Sequence, residues 1–329
     1  MHLIETAALE GDTLWLLCST GTSHPSGTLF LLDLRNRKLA KISIPSSGNI
    51  EQFCLSRSGK IIVASSNREL WQYSSGKIIF LSYLPECPLQ ELLDKFGLDN
   101  RSTLREIWES GIVRGRGCPL YHDRILKMFT NGQEFILLTS SSLLRYDYVS
   151  GRWDIVCLHN LIPKAVRMPA VLTDDGYLYQ GTCLGEDGGD LKRINMKTGA
   201  IDILYEGIQV TSVIRDPWDP DSVLFSTGTW HLGLNLGGIY HTRGGEPFFS
   251  GKAIYSISSD QNDIIAASPD GIYRFSNGIC FLFDYPDCSL YDGIRVVSDE
   301  RFGMFVLTDI YLRRMVCGSV PLFLERDEC

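Results

Sequence analysis

The side chains here with chemistry to offer are six histidines, ten cysteines and a few clustered acids. Glu186-Asp187-Gly188-Gly189-Asp190 sets three carboxylates around two glycines. Oxygen donors on a tight turn suit Ca²⁺, so Glu186, Asp187 and Asp190 are weak metal candidates. The EF-hand spacing is missing, and a plain acidic turn is the simpler reading. His231 and His241 flank a turn that also carries Trp230, Leu232, Gly233 and Asn235. That turn is long and aromatic enough to shape a pocket. Arg114 and Arg116, spaced by Gly115 and Gly117, form a basic loop that can hold a phosphate or a carboxylate. Asp216, Asp219 and Asp221 surround Trp218 and two prolines, which makes them turn formers.

Recognised catalytic signatures are missing. The sequence holds no Gly-x-Ser-x-Gly, no Walker loop and no His-Glu-x-x-His. No two histidines share metal-ligand spacing on one helix or strand. Cysteines at 18, 54, 87, 118, 157, 183, 280, 288, 317 and 329 include no Cys-x-x-Cys. No cofactor is therefore expected. Cys18, Cys54, Cys157 and Cys280 sit in apolar strand-like runs, as buried free thiols of a reducing cytosol would. In an exported chain Cys87–Cys118 could bridge the base of the insert and Cys280–Cys288 could form a second pair, and spacing alone establishes neither.

The elements that position these residues recur. Each unit has a turn, a strongly apolar strand, a small-residue turn, a second strand, another turn and a third strand. One copy runs Gly59-Lys60, Ile61 to Ala64, Leu70-Trp71-Gln72-Tyr73, Ser75-Gly76, then Lys77 to Leu81. Others open at Gly11, Gly132, Gly176, Asp221, Asp263 and Gly303. The starts lie about 40–48 residues apart, close to the blade length of a four-stranded propeller. One gap, from Gly59 to Gly132, is longer by the size of an insertion. A short apolar run precedes most starts, for example Ile50 to Leu55 and Val210 to Ile214, and supplies a fourth, innermost strand. The expectation is an all-β, seven-bladed β-propeller over residues 1–329, with six or eight blades left open.

Alternation agrees with that reading. Leu144-Arg145-Tyr146-Asp147-Tyr148 alternates apolar and polar side chains, as a strand near a wet rim does. The strand before it is almost wholly apolar, which suits burial on both faces. Leu3 to Ala8 looks like an inner strand and Val320 to Leu324 like an outer one. No strand need then be shared between the first and last blades, so that joint closes by packing alone and should be weakest.

Residues 85–120 interrupt the pattern. Pro88 suits a first helical position, and Leu89, Leu92, Leu93 and Phe96 follow at helical spacing. Thr103-Leu104-Arg105-Glu106 matches a capping box, and Leu104, Ile107 and Trp108 form a stripe. The reading is a helical hairpin inserted between blades two and three, on the face where propellers usually bind. It either caps blade edges or docks a partner.

Two stretches resemble known propeller repeats. Val210 to Thr229, followed by Gly237-Gly238-Ile239-Tyr240, resembles blades of the sortilin and sialidase-type (BNR) propellers. It has Arg243-Gly244-Gly245-Glu246 in place of their Ser-x-Asp-x-Gly box. Pro269-Asp270-Gly271-Ile272-Tyr273-Arg274-Phe275 is similar to blades of two-component-regulator sensor propellers. The resemblance covers about one blade each. It implies the architecture and carries over no catalytic residue. The Gly-His and Trp-Asp signature of WD repeats is absent as a series, although Trp153-Asp154 occurs.

Function is less legible. A formal charge of −8 argues against nucleic acid or an anionic membrane surface as partner. No run of apolar residues is long enough to span a bilayer, and Met1 to Asp12 lacks the basic start and apolar core of a signal peptide. Cytoplasmic residence is the expectation. The leading functional reading is a non-catalytic module that binds another protein through the ring face with the insert. Trp108, Arg114, Arg116, Trp230, His231 and His241 are its candidate contacts. The alternative is a hydrolase or lyase at the channel mouth, acting on a sugar or lactone with acids and a divalent metal. A sensor domain with a small-molecule pocket is a third reading.

Overall fold

We describe the protein from a computed structural model. It describes residues 2–10, 12–20, 27–56, 60–85, 125–130, 134–160, 162, 165, 168–184, 188–219, 221–231, 234–260, 263–275, 279–283, 295–299, 303–307, 312–315 and 322–324. The helical-hairpin reading, with Trp108, Arg114 and Arg116, falls on residues 86–120 and lies outside that set. Among the described residues every regular element is a strand.

The strands form seven four-stranded antiparallel sheets, each in chain order. Sheet one contains β1 (His2–Glu10), β2 (Thr13–Thr20), β3 (Thr28–Asp33) and β4 (Lys38–Ile42). Sheet two contains β5 (Ile50–Leu55), β6 (Ile61–Ser65), β7 (Glu69–Ser74) and β8 (Lys77–Tyr83). Sheet three contains β9 (Ile125–Thr130), β10 (Glu134–Thr139), β11 (Ser142–Asp147) and β12 (Trp153–Cys157). Sheet four contains β13 (Ala170–Leu172), β14 (Tyr177–Cys183), β15 (Gly189–Asn195) and β16 (Ile201–Glu206). Sheet five contains β17 (Val210–Arg215), β18 (Val223–His231), β19 (Leu234–His241) and β20 (Phe249–Ser250). Sheet six contains β21 (Ser256–Asp260), β22 (Asp263–Ser268), β23 (Gly271–Phe275) and β24 (Ile279–Phe283). Sheet seven contains β25 (Arg295–Asp299), β26 (Gly303–Leu307), β27 (Leu312–Met315) and β28 (Leu322–Leu324).

Burial follows position within each sheet. All five residues of β6 are buried, whereas β8 is mostly exposed or half-buried. A second strand is covered on both faces by neighbouring sheets, so it takes an unbroken apolar run such as Ile61-Ile62-Val63-Ala64. Separate apolar cores join consecutive sheets. Trp15, Leu17, Phe53 and Val63 join sheets one and two. Cys54, Leu70, Phe135 and Leu144 join two and three. Leu138, Leu143, Leu178 and Ile194 join three and four. The series continues to Ile265, Ile272, Val296 and Val306 between six and seven. Leu14, Leu16 and Leu32 form a further cluster on the other face of sheet one, and β1 lies beside β25. The first and last sheets thus meet without exchanging a strand, as the sequence predicted.

This winding creates two faces. Links between sheets and turns between second and third strands lie on one, called upper here. The remaining turns lie on the lower face, where a repeated device closes them. Asp33, Asp147 and Asn195 each end a third strand, and each side chain accepts two backbone N–H groups of its turn. Four residues on, Arg37, Gly151 and Gly199 adopt positive φ. At Gly199 a Cβ would lie 2.1 Å from the Cys157 carbonyl oxygen, so only glycine fits.

Candidate functional site

On the upper face, one hairpin outgrows its sheet. β18 and β19 pair from Leu224–His241 up to His231–Leu234. Their neighbours stop earlier: β17 reaches only Thr227, and β20 pairs only with Gly238 and Ile239. Gly228 to His231 and Leu234 to Gly237 therefore form a two-stranded ribbon standing beyond the sheet.

The link from sheet five to sheet six fastens one side of this ribbon. Ala253 N donates to Asn235 Oδ1 at 2.7 Å, Ile254 N to the Thr227 carbonyl at 3.0 Å and Gly251 N to the Gly237 carbonyl at 3.1 Å. Glycines permit this approach. A Cβ on Gly228 would meet the Ile254 carbonyl oxygen at 3.0 Å, and one on Gly237 the Ala253 Cα at 3.0 Å. The opposite side is open. Leu234 is 54% exposed and Leu236 56%. Two leucines adjacent on one face of a strand expose apolar surface that none of the described residues covers.

Beside the ribbon, Lys252 donates to Tyr273 Oη at 2.6 Å and to Asp270, and Tyr273 Oη donates to Asp270 Oδ2 at 2.9 Å. The ammonium also lies 5.0 Å from the centre of the Tyr273 ring. The Asp270 and Tyr273 hydrogen bonds hold Lys252 above the ordinary lysine value. Burial acts to raise Asp270, but donors from Lys252, Ser268 and Tyr273 outweigh it and hold the carboxyl low. Burial, with Asp270 nearby, pushes the Tyr273 phenol up. All three groups keep their usual charge near neutrality and are engaged with each other. They act as a clasp between link and sheet rather than as an acid–base pair.

Sheet two carries a related clasp. Glu69 is buried and accepts from Ser46, from Ser47 at 3.1 Å, from Ser65 at 3.3 Å and from Trp71 Nε1 at 3.3 Å. The Ser46 hydrogen bond comes first among the causes that hold its carboxyl low. Neither clasp was read from the sequence. The shared signal is an acid at the start of the third strand with an aromatic two or three residues later.

The candidate residues separate on this frame. Trp230 and His231 are the last two residues of β18, at the ribbon tip. His241 lies at the other end of β19, opposite Leu224, on the lower face. There its Nδ1 is 2.9 Å from Asp216 Oδ2, and the Asp216 side chain is only 1% exposed. Asp216 also accepts the Trp218 backbone N–H at 2.9 Å, as a turn former should. Asp219 and Asp221 pair with Arg243. Asp190 is engaged by buried Lys192 and by Thr182, while Glu186 and Asp187 lie outside the described residues. Among the described residues, no three His, Cys, Asp or Glu side chains gather to hold a metal.

A cleft of about 290 Å³ opens on the lower face of sheet three, lined by Glu134, Arg145, Asp147 and Trp153 among others. Arg145 closes on Glu134 through two hydrogen bonds of 3.0 and 2.9 Å, so its guanidinium is already engaged.

No family model matches the chain, and no curated protein matches it in sequence. Solved structures do match its fold. Virginiamycin B lyase from Staphylococcus aureus superposes with a TM-score of 0.56 at 14% identity, over 93% of this chain and 92% of that one. The GH74 xyloglucanase from Xanthomonas campestris gives 0.56 at 14% identity, over 94% of this chain and 50% of the enzyme. The chain is a β-propeller. PorZ, a surface component of the type-IX secretion system of Porphyromonas gingivalis, gives 0.55 at 12% identity, over 93% of this chain and 45% of that one. At these identities the likeness is one of fold, and propellers host both enzymes and binding modules.

Proposed function

We propose that this propeller is a protein-binding module that contacts its partner through the upper face, and that its seven sheets are seven blades of one ring. The observation that carries the reading is the overhanging ribbon with two half-exposed leucines, held rigid by a laced link and a charged clasp. A rigid apolar projection suits docking. β8 ends at Tyr83 on the same face, and we include the insert expected over residues 85–120 in the contact region together with Trp230 and His231. Cys54 and Cys183 are buried free thiols, and burial pushes the Cys54 thiol well up. Unpaired buried thiols favour a reducing compartment, so cytoplasmic residence remains our proposal.

The test is capture of partners from native lysate by three forms: the intact chain, a form lacking residues 86–117, and a Leu234→Asp/Leu236→Asp form. A protein held by the intact chain and lost from the leucine variant supports this reading. Equal capture by all three forms moves the site off the upper face.

A further inference from the structure

The outermost strand of sheet two is an open edge of a kind its counterparts avoid. β8 pairs with β7 on one side and, among the described residues, with no strand on the other. Of its seven residues only the first, Lys77, is charged. Ile79 is 49% exposed, Phe80 41% and Tyr83 65%. Other outer strands are blunted. β4 carries Lys38 and Lys41, β12 carries Asp154, β16 carries Asp202 and Glu206, and β20 is two residues long. Charges and short length keep a sheet edge from pairing with another chain, and β8 has neither safeguard along its middle.

The hydrogen-bond pattern shows what this edge can accept. Ser75 and Gly76 adopt positive φ in a tight turn, so Ser74 and Lys77 turn their backbone groups toward each other. Alternation then points the N–H and C=O of Ile78 outward, those of Ile79 inward and those of Phe80 outward. A bulge follows at Leu81, where the register shifts from Phe80 opposite Trp71 to Ser82 opposite Leu70. The regular stretch of free edge is therefore Ile78 to Phe80, and its pattern is its own complement. Laid antiparallel across a two-fold axis, Ile78 of each copy meets Phe80 of the other, and each such pair exchanges both backbone hydrogen bonds. Ile79 meets Ile79 on the axis, at a pair without hydrogen bonds, where side chains come closest. The flanking pairs set an aromatic against a β-branched residue, a favourable cross-strand match. Lys77 falls opposite Leu81, so no like charges meet.

From this we infer that β8 is a self-association edge whose occupant is β8 of a second copy of this chain, paired antiparallel about Ile79 so that two sheets join edge to edge. This surface is separate from the upper-face site proposed above. A contact this short buries less than a standard interface of about 1,600 Å², so the dimer should be weak, with a dissociation constant on the order of 10–100 µM.

Sedimentation equilibrium of the intact chain, from about 5 to about 500 µM, tests it first, and a reversible dimer is the expected result. Ile79→Lys puts two ammonium groups on the axis and should weaken the dimer at least about ten-fold, with an unchanged melting temperature showing that the fold survives. Leu234→Asp/Leu236→Asp should leave self-association as it is. Ile79→Cys should give a disulfide-linked dimer with diamide, above the intact chain's own background, because paired Cβ atoms on the axis lie within disulfide reach. Val149→Cys, at a residue 94% exposed on the lower face, should cross-link far less. A monomer at every concentration with no Ile79→Cys dimer would overturn the inference. So would a dimer that Ile79→Lys leaves intact, a dimer lost in the leucine variant, or equal cross-linking of the two cysteine variants, which would mean chance collision. Each of these leaves the upper-face reading to its own capture experiment.

Discussion

Sheets two and six solve one problem with different materials. In each, a carboxylate at the start of the third strand, Glu69 as its first residue and Asp270 just before it, ties down the incoming link and an aromatic of that strand. Glu69 is buried and uses three serine hydroxyls and an indole N–H. Asp270 is 40% exposed and uses an ammonium and a phenol. A buried carboxylate needs every acceptor site filled, because each missing donor leaves desolvation uncompensated. A half-exposed ion pair is screened by water and contributes little on its own. The sheet-two clasp should therefore be structural, and the sheet-six clasp should mainly hold the ribbon's base in place.

The comparison breaks if the two carboxylates behave alike. Glu69→Ala strands three hydroxyls and an indole N–H in a buried turn and should cost about 2–4 kcal/mol in urea unfolding. Asp270→Ala should cost about 1 kcal/mol or less. Equal losses would show that burial does not separate the clasps.

Titration sharpens the contrast. Glu69 and Asp270 both have carboxyls held low in the folded state. Their stabilisation is present above the unfolded carboxylate values and is lost as pH falls through the folded ones. Lys252 is held high, so its contribution is present below the unfolded lysine value of 10.5 and is lost as pH rises through the folded value. Removing Asp270 should flatten stability curves at both ends, and removing Glu69 only at the acid end. Melting scans of the two variants across pH 2–12 would show this.

Salt gives a smaller signal. Raising ionic strength to about 1 M shortens the screening length to about 3 Å. The destabilisation by Asp270→Ala should then shrink by half or more, while that by Glu69→Ala persists. The smallest effect is expected for Trp71→Phe, which removes one of four donors to Glu69 and should cost about 0.5 kcal/mol. A zero cost there would mean that the serines alone satisfy the carboxylate.

The strand repeat was legible because each copy carries its own turn residues and its own alternation. Ile61 to Ala64 and Leu144 to Tyr148 need no distant information to be read as strands. The clasps were illegible for the opposite reason: Ser46 and Glu69 are 23 residues apart and become neighbours only through the winding. Trp230 and His231 end β18 beside the sheet-five turn. His241 was grouped with them because the length of β19 was not taken into account. Eight residues of strand put it on the other face, where Asp216 holds it. The ribbon was hidden too, since Gly228 and Gly237 look like strand breakers until the link that packs on them is known.

Hydrogen exchange of the propeller, free and with a captured partner, tests the central claim most directly. Protection centred on the upper face, with the ribbon strands 228–231 and 234–237 at its core, is the predicted result. Protection of the lower face, at 147–154 or 216–223, with an unchanged ribbon would contradict it.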